Sequence, residues 1–274
     1  MGWPEADASA PLTGRIALGL SYGGTAYHGW QSQPDGRAVQ DQLESALRTF
    51  CGHPVRTHCA GRTDAGVHAA NQVVHLDAPV ARAAFSWVRG VNRYLPMDIA
   101  VRWCRPVAAG FHARNSARGR RYRYLLMQAV ARPGLASDRV GWVFRPLSLD
   151  AMRDAADRLV GEHDFSSFRS AECQAASPVK NLRSLNVRRQ GALWQFDFDA
   201  SAFLHHMVRN LMGCLVAVGT GQRQPGWIDA VLQARDRAVA APTFSAAGLY
   251  FLGPYYDAVH GIPEHGDEAP LLSG

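Results

Sequence analysis

The pattern of apolar residues in the first part of the chain predicts two helices among four strands. Apolar side chains recur at positions 39, 43, 46, 47 and 50, the spacing of one buried helix face. A second helix is predicted over 81–94, ending before Pro96. Apolar runs bounded by turn residues predict strands at 15–22, 55–60, 71–76 and 99–104. The resulting order, β-α-β-β-α-β, is that of a ferredoxin-like unit.

The second part of the chain repeats this order with a different sequence. A strand is predicted at 120–127, followed by a helix that Ser148 caps and that ends before Gly161. Strands at 182–189 and 193–199 are expected to form a hairpin, followed by helices at 203–218 and 227–234 and a closing strand at 249–252. The pattern therefore predicts an α+β protein with two ferredoxin-like units and mainly antiparallel strands.

Length and composition allow one large domain or two modest ones, and the repeated order of elements favours two. The chain has 274 residues, of which 47% are hydrophobic, enough for packed cores. We place the boundary near residues 108–110, which gives a flexible N-terminus at 1–14, an N-terminal domain at 15–109, a C-terminal domain at 110–257 and a flexible tail at 258–274.

Positive charge is concentrated in one part of the chain. The sequence carries 29 basic and 23 acidic residues, and Lys180 is its one lysine. No acidic residue lies between Asp98 and Asp138, a stretch with eight arginines interleaved with aromatic rings. Arginine forks suit phosphate and rings suit base stacking, so this stretch predicts a nucleic-acid surface. The alternative is a solvated basic edge that prevents association between sheets.

The segment 61–69 is the densest candidate for chemistry. It lies between two predicted strands, and it has glycines on both sides of Arg62 and Asp64. In an extended segment these two side chains point the same way, and a neighbouring guanidinium keeps a carboxylate ionised, ready to act as a nucleophile or base. The alternative is a turn in which Asp64 caps the loop and Arg62 neutralises it.

The cysteines and histidines do not predict a metal site. The five cysteines include no C-x-x-C pair, and the set Cys51, His53, His58 and Cys59 matches no common zinc spacing. His205 and His206 are adjacent, so on a helix they would diverge by about 100°. No glycine-rich loop is followed by the residues of a phosphate loop. We therefore expect neither a metal nor an organic cofactor.

The cellular location is predicted from what the sequence lacks. The first fourteen residues contain no apolar block, and the most apolar stretch, 211–218, is too short to span a bilayer. We expect a cytoplasmic protein that does not enter a membrane.

Five segments together resemble the tRNA pseudouridine synthase A family. They occur in the family's order between about residues 15 and 257, and their combination is highly specific. They read GRTDAGVHA at 61–69, YHGWQ at 27–31, FHAR at 111–114, RYRY at 121–124 and FLHHMVRN at 203–210.

This resemblance implies the isomerisation of uridine to pseudouridine in the anticodon stem-loop of tRNA, at tRNA positions 38, 39 and 40. Asp64 would be the essential carboxylate, acting on the ribose, on the base or on a ribose proton. Arg209 matches the arginine that pairs with it, and Arg62 would fill the space that the extracted base leaves. Tyr122 matches a tyrosine that stacks on the uracil, with Leu249 on the other side.

The resemblance also implies a homodimer whose RNA spans both chains, a continuous sheet with a central cleft, and no cofactor. A base inside a stem must be flipped out before it can react. We expect phosphate contacts from Arg118, Arg120 and Arg123 to offset part of that cost. The alternative is a non-catalytic RNA-binding protein built from ferredoxin-like units, but such a protein would give Asp64 no task.

Overall fold

The computed structural model describes residues 10–264, within which the chain forms five α-helices and ten strands. The helices are α1 (Val39–Cys51), α2 (Ala84–Asn92), α3 (Leu149–Asp157), α4 (Met207–Gly219) and α5 (Trp227–Ala234). The strands are β1 (Pro11–Tyr22), β2 (His58–Cys59), β3 (His68–Ala83), β4 (Ile99–Pro106), β5 (Gly119–Gln128), β6 (Gly141–Val143), β7 (Gly161–Asp164), β8 (Val179–Gln190), β9 (Leu193–Ala200) and β10 (Leu249–Tyr255). The expected α+β class with mainly antiparallel strands is confirmed.

The chain divides into two compact units. The first unit contains the described residues up to Arg118 together with those from Phe251 onward, and the second unit is Gly119–Tyr250. The expected boundary at 109/110 therefore lies nine residues too early. Phe111 and Ala113 explain the difference, because both are buried in an apolar cluster of the first unit.

The first unit has the predicted β-α-β-β-α-β order. Its strands lie in the order β4-β1-β3-β10, with the short β2 also paired to β3. Strand β1 runs antiparallel to both neighbours, so that Leu18 faces Val74 of β3 and Cys104 of β4. The order of β4, β1, β3 and β2 is that of a ferredoxin-like sheet.

Both helices of the first unit bury one face. Val39, Leu43 and Leu47 of α1 are fully buried, as their spacing predicts. The rings of Phe50 and Trp87 meet edge to face at 5.3 Å and join α1 to α2, which also packs on β4. Helix α2 begins three residues later than predicted, because β3 continues to Ala83.

The described parts of the two segments that we expected to be flexible, 1–14 and 258–274, have regular structure or pack against the first unit. Strand β1 starts at Pro11, so 11–14 belong to the sheet. After β10 the chain forms a short 3-10 turn at Ala258–His260, and Ile262 packs against the apolar cluster of the first unit. The remaining parts of the two expected flexible segments, 1–9 and 265–274, lie outside the described residues.

The second unit also contains an antiparallel sheet. Its order is β5-β9-β8-β7, and β6 lies parallel beside β5. The predicted hairpin joins β8 to β9 and turns at Gly191, where φ is +59°. The predicted cap is present, since Ser148 Oγ accepts a 3.3 Å hydrogen bond from Ala151 N at the start of α3.

Three features of the second unit differ from the prediction. Strands β6 and β7 span three and four residues, too short to show a clear period. Helix α4 begins at Met207 rather than at residue 203, because His206 has a left-handed backbone with φ of +62°. Gly161 lies in β7 with φ of +121°.

Within 10–264, no helix is long and apolar enough to cross a membrane.

Candidate active site

The Asp64 loop, residues 61–67, joins β2 to β3 and is fastened by main-chain hydrogen bonds. Trp30 N donates to the carbonyl of Thr63 at 3.0 Å, and Gly66 N donates to Tyr27 O at 3.4 Å. Val67 N donates to Asp64 O at 3.1 Å and closes a turn within the loop. The backbone of Asp64 is therefore fixed on both sides.

Two glycines allow the neighbouring segment to approach the loop this closely. A Cβ added at Gly29, where φ is +88°, would lie 2.6 Å from Thr63 O. A Cβ added at Gly24 would lie 2.0 Å from Val67 O. Both distances are far inside van der Waals contact, so no side chain fits at either position.

Side chains hold the ends of the loop. Tyr22 and Thr63 share a hydrogen bond of 2.8 Å between their hydroxyl oxygens. Gln72 Nε2 donates to Gly61 O at 2.6 Å. At the other end, His68 Nδ1 accepts a 3.1 Å hydrogen bond from a backbone amide. Sequence reasoning missed Tyr22 and Gln72, because nothing local to them indicates their partners.

Arg62 and Asp64 lie in the loop as two polar residues around a buried one. Thr63 is 6% exposed, whereas Asp64 is half-buried and Arg62 is exposed. The expectation that the side chains of Arg62 and Asp64 point the same way stays a prediction. The alternative interpretation was a turn capped by Asp64. A turn is present, and the main-chain carbonyl of Asp64 accepts the hydrogen bond that closes it.

Arg209 lies in the first turn of α4 in the second unit. Its Nε donates to Phe244 O at 2.9 Å, and its own carbonyl accepts a 3.1 Å hydrogen bond from Phe244 N. Arg209 is thus bonded to Phe244 through both its side chain and its backbone. The guanidinium is held in one orientation at the start of the helix.

Asn210, next to Arg209, is fully buried and was missed by sequence reasoning. Its Nδ2 donates to Phe168 O at 2.8 Å, and its Oδ1 accepts from Thr243 Oγ1 at 2.7 Å and from Arg237 Nη2 at 3.2 Å. It lies in the quoted segment 203–210, which is the one signal that pointed to it. Asn210 ties α4 to two separate stretches of the second unit.

Tyr122 and Leu249 are largely buried in the second unit. Tyr122 is on β5, opposite Phe198 of β9, and it is 8% exposed. Its ring meets that of Phe203 edge to face at 4.9 Å. Leu249, the first residue of β10, is 3% exposed and donates from its backbone to Ala246 O. The Tyr122 ring is therefore largely enclosed and packs against an aromatic neighbour.

The three arginines expected at phosphate have different surroundings. Arg118 is exposed and binds both carboxylate oxygens of Asp257, whose pKa is held below its usual range by that guanidinium. Arg120 is half-buried, and its Nη1 donates to Ser201 O at 3.2 Å. Arg123 is buried, and its Nε donates to Asp197 at 2.6 Å across the β5–β9 pair. The expectation for Arg123 is therefore revised to a structural role, since its guanidinium is buried and bonded to Asp197 within the sheet.

A histidine cluster in the first unit was not foreseen. The ring of His75 stacks on that of His58 at 5.0 Å and lies 4.6 Å from that of His112. Burial, and then the two neighbouring histidines, lower the pKa of His75 to about 4. Its Nδ1 accepts a hydrogen bond from Ala113 N at 3.1 Å. His58 was one of four residues weighed as metal ligands, and here it stacks on a ring.

The structure also describes the surroundings of Cys59 and of the adjacent residues His205 and His206. Burial raises the pKa of Cys59 to about 11, so its thiol stays protonated. His205 and His206 were expected to diverge on a helix, which is wrong. Both precede α4, and their ring centroids are 4.1 Å apart because the left-handed backbone of His206 turns its side chain toward its neighbour.

Comparison with known proteins decides the family. The family model described as tRNA pseudouridine synthase matches residues 20–114 and 155–257. The chain belongs to the tRNA pseudouridine synthase family. The Asp64 loop, Tyr122 and Arg209 come from the segments that carried the resemblance, and all but Tyr122 lie within the matched ranges.

Curated relatives agree with the family assignment. A tRNA pseudouridine synthase A of Methylibium petroleiphilum is 69% identical over 91% of this chain and 96% of the relative. Those of Variovorax paradoxus and Dechloromonas aromatica are each 60% identical, over 95% and 93% of this chain and 97% of each relative. A solved structure of a Cbf5–Nop10–Gar1 complex aligns with 74% of this chain and 45% of that chain, at 12% identity and a TM-score of 0.35.

Proposed function

We propose that this chain converts uridine to pseudouridine in the anticodon stem-loop of tRNA, at positions 38, 39 and 40. The observation that carries the proposal is the Asp64 loop, a carboxylate on a backbone fixed from both sides within the family's signature segment. The curated relatives bear the name tRNA pseudouridine synthase A. Their names support tRNA as the substrate class.

The reaction is an isomerisation whose atoms balance without an added reactant. The N1–C1′ glycosidic bond breaks, the uracil turns, and a C5–C1′ bond forms. The proton on C5 is lost and N1 gains one. No electrons are gained or lost overall, so the reaction needs no external oxidant or reductant. We propose, as the resemblance implies, that the enzyme also works without an organic cofactor or a metal.

Asp64 is the proposed catalytic residue, and its rigid placement supports that role. A carboxylate on a fixed backbone has less freedom to lose when the flipped nucleotide arrives, so part of the barrier is removed in advance. Arg62, exposed beside it, is the proposed occupant of the space from which the base was extracted. Arg209 supplies a second, fixed guanidinium for the same reaction.

Tyr122 and Leu249 are the proposed contacts of the uracil ring. Stacking of a base on an aromatic ring is worth about 1–3 kcal/mol, which offsets part of the cost of flipping. Arg118 and Arg120 are proposed phosphate contacts. The exposed ion pair between Arg118 and Asp257 is weak enough to exchange for a phosphate. We further propose a cytoplasmic homodimer, as the resemblance implies.

Substituting Asp64→Asn tests this function. The amide keeps the shape but cannot act as an anionic nucleophile or base, so turnover should fall by about a thousandfold or more. Release of tritium from tRNA labelled at uracil C5 measures turnover, and filter binding should show retained tRNA affinity. Asp77→Asn, an exposed position in the same unit, is the control and should remain active.

Two outcomes would contradict the proposal. If Asp64→Asn kept more than about a tenth of the wild-type rate, the carboxylate would not be essential. If the wild-type protein bound tRNA but released no tritium, a non-catalytic RNA-binding function would be favoured instead.

A further inference from the structure

Tyr22 provides a fixed point next to the Asp64 loop. It is the last residue of β1 and pairs with Ala69 of β3 and Ile99 of β4, so neighbouring strands restrain its backbone on both sides. Its side chain is buried, at 4% exposure, and its ring lies 6.0 Å from that of Trp30. The position of its hydroxyl is therefore set by the sheet.

Thr63 transmits that position to the backbone of Asp64. Its hydroxyl shares the 2.8 Å hydrogen bond with Tyr22, and its carbonyl accepts from Trp30 N. A threonine has few side-chain rotamers because it is branched at Cβ, so fixing its hydroxyl also fixes its backbone. Asp64 follows directly, and the direction of its side chain depends on that backbone.

The hydroxyl of Tyr22 is a neutral group that is hydrogen-bonded within the protein. Burial raises the pKa of Tyr22 well above its usual range, so the group stays a neutral phenol at working pH. Its bond to Thr63 occupies it within the protein interior. We therefore consider its effect on the position of Thr63.

We propose that the hydrogen bond between Tyr22 and Thr63 is a positioning contact that sets the orientation of the Asp64 carboxylate. This inference rests on the proposed function of Asp64. Both residues are positioning residues, and neither is expected to touch the uridine.

A double-mutant cycle tests the proposal. Tyr22→Phe keeps the ring and Thr63→Val keeps the shape, yet each removes one hydroxyl. Each variant should lower kcat by about 10- to 100-fold, the cost of a small misplacement, while the Kd for tRNA stays within about twofold. The double variant should be no slower than either single variant, because both lose the same bond. Thr63→Ser keeps the hydroxyl and should restore most of the rate.

Tyr256→Phe is the matched control. Tyr256 lies in the same unit, is 8% exposed, and donates a 2.7 Å hydrogen bond to Ala113 O, which is not a residue of the Asp64 loop. Its loss should lower the melting temperature about as much as Tyr22→Phe does, but leave kcat unchanged. A purely structural role for Tyr22 would make the two variants alike in kcat, and that result would overturn the proposal.

Amide hydrogen exchange provides a measurement that does not depend on activity. Tyr22→Phe should speed exchange at Val67 N, which bonds to Asp64 O, and Tyr256→Phe should not. Equal protection in both variants would count against the proposal. If Asp64→Asn is inactive but Tyr22→Phe has normal kcat, this inference alone fails. If Asp64→Asn is active, the proposed function fails.

Discussion

Asp64 and Arg209, one in each unit, are held in place by different means. The Asp64 loop is fixed largely through main-chain groups, with Trp30 N bonded to the Thr63 carbonyl and Val67 N to that of Asp64. Arg209 is fixed through its own side chain, by the bond from Nε to Phe244 O, and through its neighbour Asn210. An anchor through main-chain groups is disrupted when backbone space is filled, whereas an anchor through a side chain is disrupted when that side chain is removed.

Among variants that disturb the anchors of these two residues, the largest effect should come from filling the space beside the Asp64 loop. Gly29→Ala places a Cβ 2.6 Å from Thr63 O at a φ of +88°, so the loop must shift. We expect turnover to fall by about 100-fold or more, with a lower melting temperature. Tritium release and thermal unfolding measure the two effects.

Gly36→Ala is the control for backbone strain. Gly36 has a similar φ of +66°, but nothing lies within 4 Å of its added Cβ. It should lose about 1–2 kcal/mol of stability from strain and keep normal turnover. Similar turnover in the two variants would show that close approach of the backbone does not fix the loop.

Removing a side-chain anchor in the second unit should have the next largest effect. Asn210→Ala leaves the Phe168 carbonyl and the Thr243 hydroxyl without their buried partner, so stability should fall by about 2–4 kcal/mol. The urea midpoint of unfolding measures this loss. Asn186→Ala, at an exposed site on β8, should stay within about 0.5 kcal/mol of wild type. A small loss for Asn210→Ala would mean that the network contributes little to holding α4.

The histidine cluster of the first unit should make the stability of the protein depend on pH. Because the folded pKa of His75 is about 4 and its unfolded value is 6.5, the unfolded chain binds more protons between these pH values. The contribution of His75 to the free energy of unfolding is therefore fully present above pH 6.5. It is lost as the pH falls toward 4, which lowers the free energy of unfolding by about 1–3 kcal/mol. Urea unfolding at a series of pH values measures the loss.

Two variants separate His75 from other causes of acid instability. His75→Asn keeps an acceptor for Ala113 N but removes the titrating ring, so its stability should depend less on pH in this range. His53→Asn changes an exposed histidine and should leave the profile as in wild type. Identical profiles for the wild type and His75→Asn would contradict the assignment.

Some elements were predictable because their signals are local. Helix α5 occupies the predicted residues 227–234, and α1 extends one residue beyond the prediction, since both depend on the spacing of apolar residues along one face. Helix α4 was predicted four residues too long at its start. Its apolar pattern continues through 203–206, and the left-handed backbone at His206 leaves no trace in that pattern.

The candidate site was predictable in part for the same reason. The residue types and glycines of the Asp64 loop mark it as a constrained loop between strands. The anchors Tyr22, Gln72 and Asn210 were missed, because a buried hydrogen bond depends on a partner distant in sequence. Arg123 was assigned to phosphate from the charge of its stretch, but the β5–β9 register places it against Asp197.

The sequence by itself determined the longer helices and strands, the two-part organisation and the segments that identify the family, because periodicity, turn residues and motifs act over a few neighbouring positions. Apart from the predicted β8–β9 hairpin, tertiary structure decided which strands became neighbours, and hence the contacts that depend on their register. Pairing of β2 with β3 sets His58 opposite His75, and the burial that follows lowers the pKa of His75. The same strand packing sets the Tyr22 hydroxyl against Thr63. Burial and long-range contact are properties of the packed sheet, and no short stretch of sequence contains them.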